Sequence, residues 1–351
     1  MTTIGILGAG QLGRMLALAG YPLGHHFRFL DPASHSPAGL LAEHLTFGYA
    51  DKSALEQFAD GLDVITYEFE NVPVEAARYL EKFVPVYPSP IALEKAQDRF
   101  VEKSFFCELG IPTPWFTTEI NHALGFPAML KTRRMGYDGK GQKIVHSEAD
   151  LENEKSQGMI LEEFISFDRE CSIVAVRNKS SEMKFYPLVE NHHREGILRL
   201  SLVTGNASAQ LQQQAEEYAT RVMTALNYIG VLAIEFFEKD GCLLANEVAP
   251  RVHNSGHWTI EGAVTSQFEN HIRAVTDAPI GSTDPLGVCA MVNLVGELPD
   301  VMSILKIDGA HVHVYDKAPR PKRKLGHATF VEKDLGVLQR KLDLLKEIVD
   351  V

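Results

Sequence analysis

Cysteine is scarce and scattered. Cys107, Cys171, Cys242 and Cys289 are the four in 351 residues, and none forms a CxxC pair. That excludes a zinc ribbon and a disulfide framework, and four free thiols suit a reducing, cytoplasmic setting. Long apolar runs are also missing. No stretch reaches 18 residues, so no ordinary transmembrane helix and no membrane partner is expected. The opening MTTIGILGAGQLGRM lacks a basic leader and a cleavage site, so it does not read as a signal peptide. Positive charge is in deficit: 34 Lys+Arg against 46 Asp+Glu give a net charge of −12. A general nucleic-acid binder needs the opposite balance, because phosphate attraction requires a basic surface. Neither an internal repeat nor a low-complexity segment is present.

What remains is an ordinary globular composition, 45% hydrophobic and 23% charged, in a chain long enough for two or three domains. Thr3 to Leu7, Phe27 to Leu30 and Asp63 to Tyr67 read as strands. Gln11 to Ala19 and Val74 to Phe83 read as helices. The alternation implies a parallel α/β unit over residues 1–95. A long helical pattern follows from Ile91 to Leu109. Strand candidates then dominate: 126–132, 143–146, 158–165, 170–177, 184–190 and 197–203. Gln210 to Leu226 is an amphipathic helix. Val231 to Phe237 and Cys242 to Val248 form a hairpin around Asp240-Gly241. This second unit, residues 96–285, reads as α+β. Residues 286–351 form a small third unit, with strands near 287–295, 311–315 and 326–331 and a helix near 334–348.

Five motifs can carry chemistry. Gly8-Ala-Gly10-Gln-Leu-Gly13 joins a strand to a helix, where amides and helix dipole can hold an anion. Asp31 closes the second strand, where a dinucleotide fold keeps its ribose acid, so a Rossmann oxidoreductase is one reading. The loop Gly136-Tyr-Asp-Gly139-Lys-Gly141-Gln142 can lay backbone amides over phosphate oxygens. It is not a Walker loop, and Lys131 before it is either a phosphate ligand or a snorkelling side chain. Glu235 and Glu247 lie equally far from Gly241, so a three-residue turn would set them face to face. Paired carboxylates repel unless a cation lies between them, and hard oxygen ligands suit Mg²⁺. Arg251-Val-His253-Asn254-Ser-Gly-His257 is a dense polar loop directly after that hairpin, suited to an oxyanion. Lys317 to Lys324 packs five cations into eight residues, either a site for a substrate phosphate or a solvated loop.

Taken in order, GAGQLGRM, YEFENVP, KTRRMGYDGKGQ, FYPLVENHHREGILR, NEVAPRVHNSGHWT and YDKAPRPKRKLGH resemble the 5-(carboxyamino)imidazole ribonucleotide synthases, the PurK family of ATP-grasp enzymes in purine synthesis. The resemblance runs from about residue 3 to 330. It implies an N-terminal Rossmann-like domain, a central ATP-grasp domain and a small β-rich C-terminal domain, assembled as a homodimer. The implied reaction carboxylates the amine of 5-aminoimidazole ribonucleotide with bicarbonate, ATP and Mg²⁺, through carboxyphosphate. The Gly136–Gln142 loop, Lys140 included, would close over ATP. Arg99 and Lys131 would contact the phosphates. Glu162, Glu163, Phe164 and Ile165 would hold adenine, Glu170 the ribose, with His193 and Asn246 nearby. Glu235 and Glu247 would bind Mg²⁺. Arg251, His253 and Asn254 would cradle bicarbonate and carboxyphosphate, and Tyr137 and Asp138 would face the imidazole. Gln11, Leu12 and Glu70 would meet the substrate ribose, and Lys317, Arg323 and Lys324 its phosphate. Ala249 departs from the wider superfamily, which often has Asn there, so the metal shell would use more water. The alternatives are another ATP-grasp ligase with a different amine acceptor and the Rossmann oxidoreductase.

Overall fold

A computed structural model describes residues 1–120, 125–136, 139–151 and 157–350. Three sheets organise them. In the first, strands Thr3–Leu7, His26–Leu30, Glu43–Leu45 and Val64–Tyr67 are parallel. The adjacent strands Thr3–Leu7 and Val64–Tyr67 are almost wholly buried, as parallel strands with flanking helices require. The helix Gln11–Gly20 leaves the glycine turn directly after the first strand.

That turn is already filled. Glu68 accepts hydrogen bonds from the amides of Gly10 and, at 2.7 Å, Gly13. Asp31 accepts from the Ala9 amide at 3.0 Å and from Ala33 at 2.8 Å. A Cβ on Gly10 would meet the Glu68 carboxylate at 2.5 Å. Burial pushes the Glu68 carboxyl above its usual range, against the pull of those two amides. The amides that would hold a dinucleotide pyrophosphate thus hold a protein carboxylate, and the oxidoreductase reading has no site.

The long helix expected over 91–109 is two helices, Pro90–Ala96 and Arg99–Glu108. Asp98 breaks it. Its backbone is extended, and its carboxylate accepts from the Phe100 amide at 3.0 Å as an N-cap. Arg133 reaches the same carboxylate with two bonds, at 3.0 and 2.9 Å, and Arg134 adds one at 3.1 Å.

A small antiparallel sheet contains Phe116–Thr117, Met159–Glu163, Ala128–Thr132 and Gln142–Val145. The large sheet has nine strands and is antiparallel throughout. The expected strand over 184–190 is two, Met183–Phe185 and Val189–Arg194. Strand Ile197–Val203 pairs with Val288–Val295, which pairs with Lys324–Glu332. The third unit therefore continues the central sheet and does not stand beside it.

The helix Gln267–Val275 is absent from the sequence reading. Its buried face includes Gln267, Asn270 and His271, which hide the apolar period. His271 ties it to the first unit. Nδ1 accepts from the Val231 amide at 3.1 Å, so the ring proton lies on Nε2, 2.8 Å from the Thr66 hydroxyl.

Glu68→Ala is expected to leave the amides of Gly10 and Gly13 without an acceptor and to lower unfolding free energy by about 2 kcal/mol. The measurement is the urea midpoint at unchanged slope. A wild-type midpoint would show that the turn does not need the carboxylate.

Candidate functional site

The hairpin Gly230–Lys239/Cys242–Ala249 turns through Asp240 and Gly241, with φ of 51° and 74°. Both are left-handed, as a two-residue turn of the hairpin-favouring type requires. The expected three-residue turn is therefore incorrect, and Glu235 still faces Glu247. Pairing runs regularly from Lys239↔Cys242 to Phe236↔Ala245, then shifts so that Glu235 meets Glu247. Asn246 is the extra residue of a bulge. A regular ladder would pair Glu235 with Asn246 and turn Glu247 to the opposite face.

Burial, reinforced by the charge of Glu247, pushes the Glu235 carboxyl up to about 7. Burial acts the same way on Glu247, but Arg99, 2.9 Å away, holds that carboxyl at about 2. Burial and the nearby Glu247 push Glu102 up to about 8, and Glu102 accepts from the Val248 amide at 2.6 Å.

Behind the pair lies a buried ionic knot. Glu162 is 1% exposed and sits 2.8 Å from Lys131 Nζ and 3.3 Å from Lys103 Nζ. Burial would raise its carboxyl; the two ammonium groups bring it down to about 2. Lys103 also donates to the Asn246 carbonyl at 3.2 Å, and Lys131 lies 3.5 Å from Asn246 Oδ1. Lys131 is thus a buried, paired lysine and does not snorkel.

The polar loop is held from several directions. Arg251 Nε donates to Glu70 at 2.5 Å and its Nη1 to the Val252 carbonyl at 2.9 Å. Glu70, expected on the substrate ribose, is therefore engaged with the residue expected on bicarbonate. His253 Nε2 lies 3.2 Å from Glu235 Oε1. Burial, then Arg251 and Lys324, push His253 down to about 3, so it is neutral. Asn254 and Asn293 exchange amide hydrogen bonds at 3.0 and 2.6 Å. Burial opposes a charge on His193, but its 2.8 Å bond to Glu170 and the charge of Glu235 raise it above the ordinary value.

Most of these groups line one cleft of about 700 Å³, the size range of a small-molecule site. It brings together Gln11, Leu12, Glu70, Arg99, Lys131, Gly136, Gly139, Lys140, Gln142, Glu170, His193, Glu235, Asn246, Glu247, Arg251, His253, Asn254, Lys317, Arg323 and Lys324. Lys317 donates to Gln11 Oε1 at 2.9 Å, which joins the basic segment to the glycine turn. Gly141, Glu162, Glu163, Phe164 and Ile165 are not among the lining residues. The Glu162 carboxylate is committed to the lysines, and the Glu163 amide donates to the Trp115 carbonyl at 2.8 Å. Tyr137 and Asp138 lie outside the described residues.

Sequence reasoning passes over several lining residues. Phe167 stacks on Phe237, with centroids 4.9 Å apart and planes 13° apart, and with Met129 they give the cleft an apolar wall. Three separated hydrophobes carry no joint signal. Lys103 reads as an ordinary helix lysine, although it is fully buried.

Three family models cover the chain. The ribonucleotide synthetase preATP-grasp domain matches residues 1–97, the ATP-grasp domain 105–268, and the phosphoribosylaminoimidazole carboxylase C-terminal domain 289–341. The N5-carboxyaminoimidazole ribonucleotide synthase of Pseudomonas aeruginosa is 49% identical over 99% of both chains. The crystal structure of the synthetase from Thermus thermophilus superposes with a TM-score of 0.95 at 55% identity, again over 99% of both chains. The Aspergillus clavatus enzyme, solved with ADP and 5-aminoimidazole ribonucleotide, gives 0.89 at 31% identity over 99% of both.

Glu162 is depressed from an ordinary 4.5 to about 2, so its stabilisation is present above pH 4.5 and lost as pH falls toward 2. Lys103→Met should remove one cation, cost about 3–5 kcal/mol and move that acid loss to higher pH. Urea unfolding across pH tests this; an unchanged acid limb would show that Lys103 does not hold the carboxylate.

Proposed function

The chain belongs to the N5-carboxyaminoimidazole ribonucleotide synthase family, and on that premise we propose how its cleft works. The protein is an ATP-dependent carbon–nitrogen ligase of purine biosynthesis. It carboxylates the exocyclic amine of 5-aminoimidazole ribonucleotide.

The observation that carries the assignment of roles is the shared cleft, in which Glu235 faces Glu247 between two groups of cations. Arg99 and Lys131 are the ATP-phosphate end. Lys317, Arg323 and Lys324 are the end for the ribonucleotide phosphate, which gives the basic segment its purpose in an acidic chain. Adenine lies along Met129, Phe167 and Phe237, and not on the Glu162 side chain. Glu170 and His193 stand on the nucleotide side.

Bicarbonate attacks the γ-phosphorus of ATP, the bond to the β-phosphate oxygen breaks, and carboxyphosphate and ADP form. The amine then takes the carboxyl carbon, directly or through CO₂, and phosphate leaves. Arg251, His253 and Asn254 cradle the carboxyphosphate, with His253 neutral and able to donate from one ring nitrogen. Glu70 holds the Arg251 guanidinium until an anion competes for it. Tyr137 and Asp138 are proposed to face the imidazole. Water must be kept from carboxyphosphate, and the Gly136–Gln142 loop is proposed to exclude it.

Glu235 and Glu247 fit Mg²⁺: two facing carboxylates, one with its proton affinity raised, make an oxygen donor set short of a cation. Such an ion neutralises phosphate charge during transfer. Ala249 leaves further ligation to water. Among the described residues no helix is long and apolar enough to cross a membrane. Cytoplasmic placement and a homodimer are read from the free thiols and from the family resemblance respectively. The divisions at 95/96 and 285/286 are proposed as domain boundaries.

ADP release is expected to require Mg-ATP, bicarbonate and 5-aminoimidazole ribonucleotide together. ADP release indifferent to the ribonucleotide would point to another amine acceptor. Glu247→Ala should lower turnover at least about a hundredfold with an unchanged circular dichroism spectrum; full turnover would overturn the metal assignment.

A further inference from the structure

We propose that Ser172 and Asn191, with Ser201 and Ser255, are positioning residues that fix the His253 ring with its proton on Nε2. This rests on the reading that His253 donates to the carboxyphosphate. The four residues form an unbroken chain beneath the polar loop. Ser201 Oγ donates to Asn191 Oδ1 at 2.8 Å, and Asn191 Nδ2 donates to Ser172 Oγ at 2.8 Å. Ser172 Oγ is 2.8 Å from Ser255 Oγ, which is 2.9 Å from His253 Nδ1. Ser172, Ser201 and Ser255 are fully buried and Asn191 is 4% exposed.

The direction of each proton follows from the chemistry. An amide oxygen only accepts and an amide nitrogen only donates, and each hydroxyl has one proton to give. Asn191 donates an N–H to Ser172, which leaves the Ser172 proton for Ser255 and the Ser255 proton for His253 Nδ1. The Ser255 backbone N–H, which can only donate, reaches the same Nδ1 at 3.3 Å. The backbone amide and the hydroxyl chain thus both favour Nδ1 as the acceptor. With Nδ1 accepting, the ring proton is on Nε2, which lies 3.2 Å from Glu235 in the cleft wall. The opposite tautomer would present a lone pair to an anion.

The arrangement uses three neighbouring strands. Asn191 pairs with Ser201 across one ladder and lies diagonal to Ser172 across the next, so the three side chains form a row on one face. Polar groups buried there would destabilise the sheet if left unpaired. Nothing else in the mechanism uses them.

The test begins with ¹⁵N NMR of protein labelled at histidine, with the His253 signals assigned by their loss in His253→Gln. The wild type should show an unprotonated Nδ1 and a protonated Nε2; a protonated Nδ1 overturns the proposal whether or not any variant folds. Ser172→Ala and Asn191→Leu should populate both tautomers and lower kcat about ten- to a hundredfold. KM for ATP should stay within about twofold. Asn191→Asp, whose carboxylate accepts from both serines, should reverse the chain and favour Nδ1–H. Unchanged kcat and tautomer in Ser172→Ala and Asn191→Leu, with turnover lost in His253→Gln, would overturn the chain alone. Full turnover in His253→Gln would overturn the underlying reading of His253.

Discussion

One buried carboxylate between two lysines organises the cleft. Glu162 comes from the small sheet, Lys131 from its neighbouring strand and Lys103 from the helix that follows Asp98. Through Asn246 the same lysines reach the bulge of the acidic hairpin. Three elements distant in sequence are thereby tied to one point. Two cations on one anion also leave a surplus positive charge at the cleft wall, which Lys131 helps to line. An isolated buried lysine would shed its proton; the shared carboxylate works against that loss. The geometry that stabilises the fold therefore also prepares the site for phosphate.

Much of the cleft is legible in the sequence because its chemistry is concentrated in short segments. The acidic pair, the polar loop from Arg251 and the basic stretch each announce themselves by local density. What the sequence hides is non-local. Nothing near Glu68 indicates that it fills the glycine turn 55 residues away. Nothing in the helix around Lys103 marks it as the buried residue, because one lysine on an amphipathic helix is ordinarily solvated. The helix Gln267–Val275 is hidden by polar residues on its buried face. The facing of Glu235 and Glu247 is legible, but by an incorrect route: the turn is a residue shorter than expected, and the bulge at Asn246 restores the pairing. Symmetric spacing about a glycine gives a register only after bulges are counted.

Glycine turns and carboxylates recur here in exchanged roles. The turn after the first strand has the geometry of an anion site, yet the anion is Glu68 of the same chain. The motif describes a backbone shape and not a ligand. Its service in this molecule is to place Gln11 and Leu12 at the cleft, where Lys317 reaches Gln11 from the far end of the chain.

The continuity of the large sheet bears on how the chain can be divided. Strand Val288–Val295 is a central strand, hydrogen-bonded to Ile197–Val203 on one side and Lys324–Glu332 on the other. Its middle residues, Cys289 to Leu294, are fully buried. Cutting the chain at the third unit would expose the Ile197–Val203 edge and its row of unpaired amides, a template for pairing between molecules. The remainder would be prone to aggregate even with every ATP-grasp residue present. The division at 285/286 is accordingly no place to separate autonomous modules: the third unit acts as a protective cover for the sheet edge as well as a source of substrate contacts.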